Sequence, residues 1–228
     1  MKRLSLRLSL PVALAAGALV CQAAAAADVE LVLTSKKPAS FADAAANKVS
    51  EVKDGDDLWV AVRTAKPLTE YTRAELNHKG QPRYFELALS LGPANDQRDF
   101  GSGQCFVKLA PAWAAKNEFI LSLSPAMGWT LTSEKTGGKG GAGGTESHLS
   151  KNSCFLETVA GMGAGKGRWS NRVTLRDFKE GSPTETQALA SAPITVDVSQ
   201  GFPRYARQLS ALAACDPKGA APQVCGAK

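Results

Sequence analysis

Two histidines, His78 and His148, are the chain's whole supply of imidazole, the side chain that titrates near neutral pH. His148 follows Ser147, and Ser150 and Asp177 are the companions a nucleophilic triad would recruit if the fold gathered them. No Gly-x-Ser-x-Gly elbow is present to lift a serine out of a strand–helix turn. The histidines are also poor zinc partners, being far apart in a chain whose cysteines are expected to be oxidised. No catalytic residue is assigned. An extracytoplasmic hydrolase using His148 or His78 is the catalytic alternative.

Asp54, Asp56 and Asp57 resemble a calcium-binding turn. A complete calcium loop needs more oxygen ligands and a distal glutamate at fixed spacing, and Glu51 breaks that pattern. The segment 53–57 therefore reads as a solvated turn around Gly55, and no metal is expected. Residues 138–143 fit G-x-G-x-x-G, but their neighbours are Thr136, Gly137 and Gly144-Thr145-Glu146, with none of the helix that a dinucleotide fold requires. Residues 160–167 nearly fit a phosphate loop. Gly167 stands where a magnesium-holding hydroxyl is needed, and 168–171 do not open a helix toward a phosphate. The sequence thus predicts no nucleotide and no cofactor.

Those glycine-rich segments carry Lys139, Lys166 and Arg168, with Trp169 adjoining. If the two loops meet at one end of the fold, they present cations to an acidic partner, a weak glycan or polyanion among the candidates. Trp59, Trp113 and Trp129 complete the tryptophans. Trp59 lies opposite the 58/60/62 face of its strand and is expected to cover the second face of that sheet. Trp113 and Trp169 lie near loops and are expected at the surface.

The chemistry depends on the compartment. Lys2, Arg3 and Arg7 open the chain with no acid, 8–20 is apolar and 23–27 is all alanine. That order is a secretory signal, with cleavage expected after Ala26 or Ala27. Loss of three cations leaves 24 basic against 21 acidic residues, a net charge of +3 that is ordinary for a soluble domain. Cys21 leaves as well. Cys105, Cys154, Cys215 and Cys225 remain, an even set that predicts disulfides in an oxidising milieu. The favoured pairing of the three possible is Cys105–Cys154 with Cys215–Cys225. In the loop-entropy model these are worth roughly 4 and 2.7 kcal/mol. No second apolar run is long enough to span a bilayer, so no integral membrane segment is expected after cleavage.

Hydrophobic alternation predicts strands over 29–34, 58–63, 83–91, 104–109, 118–123, 128–132, 154–159, 171–178, 187–190 and 194–198, the last two split by Pro193. In 83–91, Phe85, Leu87, Leu89 and Leu91 share one face and Tyr84, Glu86, Ala88 and Ser90 the other. Residues 69–73 and 75–80 read as polar loop. Ser40 is positioned to cap a short helix with Phe41, Ala45 and Val49 on one face. Only 204–214 reads as a longer helix, with Tyr205, Leu209 and Leu212 on one stripe. The expected fold is all-β: one antiparallel β-sandwich domain over 28–228, immunoglobulin-like topology being compatible, with a short C-terminal helix and a disulfide-closed tail. The expected function is an exported non-catalytic binding or assembly module of the bacterial envelope or exterior, with an unidentified protein or glycan as partner.

Overall fold

Strands dominate the computed structural model, which describes residues 28–93, 104–125, 127–128, 154–163, 166–177, 188–214 and 223–224. The chain is all-β in character, with short helices at the margins. Sheet A is three-stranded, in the order β1 (Val29–Thr34), β3 (Leu58–Thr64), β7 (Glu118–Ser124), and is antiparallel throughout. Sheet B is six-stranded. It runs β2 (Glu51–Lys53), β10 (Ala188–Asp197), β9 (Arg168–Arg176), β5 (Pro82–Pro93), β4 (Arg73–Leu76). β6 (Gln104–Leu109) also pairs with β5. A small ribbon joins β8 (Met127–Gly128) to β11 (Gln223–Val224).

One hydrophobic cluster takes residues from both large sheets. Leu58, Val60, Val62, Phe119, Leu121 and Leu123 come from sheet A, and Leu87, Leu89, Leu91, Val173, Leu175 and Val196 from sheet B. The alternation read in β5 is observed, with Phe85, Leu87, Leu89 and Leu91 all buried. Lys48 and Val49 pair along the edge of β1, and the next residues join β10 as β2, the one parallel pairing in the described sheets. The chain thereby crosses from one sheet to the other within a few residues.

The outer face of sheet A is covered by α1 (Phe41–Ala46). Ser40 Oγ accepts the Asp43 N–H at 3.2 Å, which is the expected cap. The buried residues of α1 are Phe41 and Ala44, whereas the predicted face used Ala45 and Val49. Val49 instead follows the helix into the strand edge. Trp59 is buried on this same outer face, with Ile120 beside it and Lys37 Nζ 5.8 Å from its ring.

Three expectations need correction. Residues 154–159 are not a strand: they open α3 (Cys154–Gly163). A strand would place Glu157 on the face of Phe155 and Val159, whereas a helix turns it to solvent while Phe155, Leu156 and Val159 stay buried. The supposed break at Pro193 does not occur, and β10 runs through it. β2 flanks β10 only from Thr195 onward, so Pro193 has β9 as its one neighbour and its missing donor breaks no second ladder. Residues 73–76, read as loop, form β4 in a hairpin with β5. Two further short elements lie on the path to β7: the 3-10 turn Leu68–Glu70 and α2 (Pro111–Ala114).

α4 (Pro203–Ala214) matches the predicted helix. Its Tyr205 ring meets Phe155 of α3 edge-on, with centroids 5.3 Å apart. Gln208 and Ser124 of β7 are both buried and share a 2.9 Å side-chain hydrogen bond. No described helix is long and apolar enough to cross a membrane.

Candidate functional site

A cleft of about 560 Å³ opens where β2, β10 and α4 converge. That volume is in the range of small-ligand sites. Its wall is Lys53, Asp54 and Asp56 on one side, and Asp197, Ser199, Gln200, Gly201 and Arg204 on the other.

The local sequence explains how the wall is held. Phe202 accepts the Ala206 N–H at 2.9 Å and so stands at the N-cap of α4. Its side chain has no oxygen to satisfy the helix's first donors. Pro203 has no N–H to satisfy. The two remaining donors turn outward to Asp54, which lies in the β2–β3 turn. The Asp54 carboxylate accepts Arg204 N–H at 2.9 Å and Tyr205 N–H at 2.9 Å. Asp54 is thus an N-cap supplied from far away in sequence, and its negative charge lies at the positive end of the helix.

Asp56 is committed in the same way. Its carboxylate accepts Lys53 N–H at 2.8 Å and its carbonyl accepts the Tyr205 hydroxyl at 3.0 Å. Burial, reinforced by Asp56, Asp54 and Asp57, pushes the Tyr205 phenol far above its ordinary pKa, so it remains a proton-bearing donor. Asp197 accepts the Ser199 hydroxyl at 2.6 Å and the Ser199 N–H at 3.0 Å. These bonds from Ser199, with Arg168 and Lys53 nearby, hold the Asp197 carboxyl below its usual range. The cleft is therefore lined by fixed carboxylates and two cationic side chains, Lys53 and Arg204. It can bind a polar ligand, and Asp197 is a poor proton donor because Ser199 and the nearby cations stabilise it as an anion.

The residues singled out from sequence scatter over the structure. Arg168 opens β9 instead of lying in a loop. Its guanidinium pairs with Glu51 on β2 and lies 3.9 Å from the Asp197 carboxylate. Lys166 is exposed just before β9, and Trp169, on β9, is 40% exposed. Arg168 borders the cleft through Asp197, and Trp169 is registered opposite Val196. His78 lies at the exposed turn of the β4–β5 hairpin. His148 and Lys139 lie outside the described residues, as do Cys215, Cys225 and the signal segment 1–27. Backbone placement puts Cys105 on β6 opposite Leu89 and Cys154 at the start of α3. The near-match to a phosphate loop falls on the end of α3 and the approach to β9, an order of helix, connection and strand that reverses the one phosphate binding uses.

Sequence reasoning recognised residues 53–57 as a turn and missed what the turn docks against. The signal was present: an Asp-Gly turn rich in acceptors, and a helix start, Phe202-Pro203, lacking its own cap. No protein-family model and no curated protein matches the chain.

Proposed function

We propose that the chain is an exported, non-catalytic binding or assembly module of the bacterial envelope or exterior, built as an antiparallel β-sandwich and clasped by disulfides. The observation that carries this reading is how the cleft's acids are used. Both Asp54 carboxylate oxygens and one of Asp56 accept backbone N–H groups, and one of Asp197 accepts from Ser199. Acids committed in this way hold a shape and a charge pattern suited to recognition. The core shared by the two sheets supports the sandwich. The apolar and cationic order of 1–27 supports export.

One placement supports the pairing Cys105–Cys154: α3, opened by Cys154, packs on β5, the neighbour of the β6 strand that carries Cys105.

Two measurements test the proposal. Mass spectrometry of the protein from the cells that make it should find the amino terminus after Ala26 or Ala27 and Cys105, Cys154, Cys215 and Cys225 oxidised. An unprocessed terminus with those four thiols free overturns export. His78→Ala and His148→Ala variants, screened beside the parent on ester, peptide and glycan substrates, should all be inactive. Turnover by the parent that one folded variant loses establishes the hydrolase instead.

A further inference from the structure

We infer that the β4–β5 hairpin and the adjoining strand β6 form a binding face for an acidic polysaccharide. The inference rests on the binding-module reading and names its ligand class and its surface. Residues 78–83, the turn and the start of β5, are exposed throughout, and Leu76 just before them is 57% exposed. Arg73, Glu75, Tyr84, Glu86 and Lys108 share the sheet face opposite the core, because their registered partners Arg73↔Glu86, Glu75↔Tyr84 and Glu86↔Lys108 alternate with buried Phe85 and Leu87. Lys79 and Arg83 stand at the rim of that face.

The Tyr84 ring is the centre of the arrangement. Lys108 Nζ lies 4.7 Å from its centroid and Arg83 Cζ 5.8 Å. Both cations lie over this half-buried ring, and the cluster matches a sugar that carries a carboxylate or sulfate: the cations meet its charge and the accessible part of the ring its apolar face. Two carboxylates lie among the four cations. Glu75 pairs with Arg73 at 2.6 Å, and Glu86 lies between Arg73 and Lys108 across the strands. Among the described residues, Lys79 and Arg83 pair with no carboxylate. The surplus charge is therefore concentrated at the hairpin turn and the Tyr84 edge. Arg168, by contrast, is engaged by Glu51 and Asp197.

The cations extend from the turn to Lys108 over roughly 15 Å of strand, which suits an extended polymer better than a single small anion. A lipid bilayer fits less well. A membrane-seeking hairpin carries large apolar side chains at its turn, and this turn is Asn77-His78-Lys79-Gly80-Gln81.

The test uses the full processed chain and polygalacturonate as the probe, with calorimetric titration at low and high salt. The processed chain should bind at low salt and weaken as salt rises. The double change Lys79→Glu with Arg83→Glu should weaken binding by at least about tenfold. Tyr84→Ala should weaken it with no change in its salt dependence, and Lys166→Glu should leave it unchanged. Thermal melts confirm that each variant is folded. Absence of binding, equal binding by the double variant, or binding only to anionic lipid vesicles overturns the inference. Equal binding by the double variant would still leave a binding module, with its surface elsewhere. Release of reducing ends from the probe, followed in the same samples, would overturn the non-catalytic reading, while loss of binding in the double variant would still uphold the hairpin as the polymer's surface.

Discussion

The Asp54 carboxylate caps α4 through the backbone of Tyr205, with Oδ1 2.9 Å from that nitrogen. Tyr205 meets the same turn a second time, where its hydroxyl donates to the Asp56 carbonyl at 3.0 Å. One tyrosine therefore binds the β2–β3 turn at both its backbone and its side-chain ends, and its ring fills the space against Phe155. Because the turn and the helix form opposite walls of the cleft, this link sets the cleft's width.

Removing the cap should cost stability and loosen the helix start. Asp54→Ala leaves the Arg204 and Tyr205 N–H groups without their acceptor, for an expected loss of about 1–2 kcal/mol. Urea unfolding should show a lower midpoint at unchanged slope. Amide exchange should speed up in the first turn of α4 and remain unchanged in β5. Asp54→Asn, which keeps an acceptor but not the charge, should recover part of the loss. A midpoint for Asp54→Ala equal to that of the parent would mean that the cap contributes nothing.

Gly55 should be at least as sensitive, for a different reason. Its φ of +83° lies in the left-handed region, where a side chain costs about 1–2 kcal/mol. A methyl group there would also lie 2.4 Å from Arg204 Cδ and 2.6 Å from Arg204 Cβ. Arg204 follows Pro203 at the helix start and cannot move without disturbing the Asp54 bonds. Gly55→Ala should therefore destabilise by at least the backbone cost. Its effect should also be non-additive with Asp54→Ala, because both act on the same contact. A double-mutant cycle in urea checks this. Simple additivity would show that turn and helix are not coupled through Arg204.

What the sequence made legible follows the range of the interactions involved. β5 was readable because strict alternation over Phe85, Leu87, Leu89 and Leu91 records a single buried face. α4 was readable because Tyr205 and Leu212 recur at helical spacing, and Ser40 because a cap bonds within its own turn. β2 was not. Three residues carry no periodicity, and Glu51–Lys53 is a strand because β10 supplies its partner. Residues 73–76 were hidden by their polarity, since Arg73 and Glu75 point away from the core and face Glu86 and Tyr84. The α3 segment was misread although Glu157 held the answer: a charge flanked by Phe155, Leu156 and Val159 fits a helix stripe and not a strand face. The cleft was invisible for the deepest reason. Asp54 and Arg204 are far apart in the chain, and their meeting is a product of the whole fold.

Glu86 makes the pH dependence of the hairpin face testable. Burial raises its pKa above the ordinary 4.5, with Lys108 opposing that shift, Glu75 adding to it and Arg73 opposing it again. In the unfolded chain the carboxyl returns to its ordinary value. The protonated folded form is thus the favoured one. Its stabilisation is complete below the unfolded pKa and is lost as pH rises through the raised folded value. Glu86→Gln cannot ionise and escapes that loss. It should be more stable than the parent near neutral pH, with the gap closing in acid. The side chain is half-buried and lies between Arg73 and Lys108, so screening keeps the gain below about 1 kcal/mol. Carbon-detected NMR titration of the Glu86 carboxyl should give a midpoint above 4.5. Urea midpoints of the two proteins should diverge upward from that pH. A midpoint at or below the ordinary value, or a Glu86→Gln variant less stable at neutral pH, would show that the attraction of Arg73 and Lys108 outweighs burial at this face.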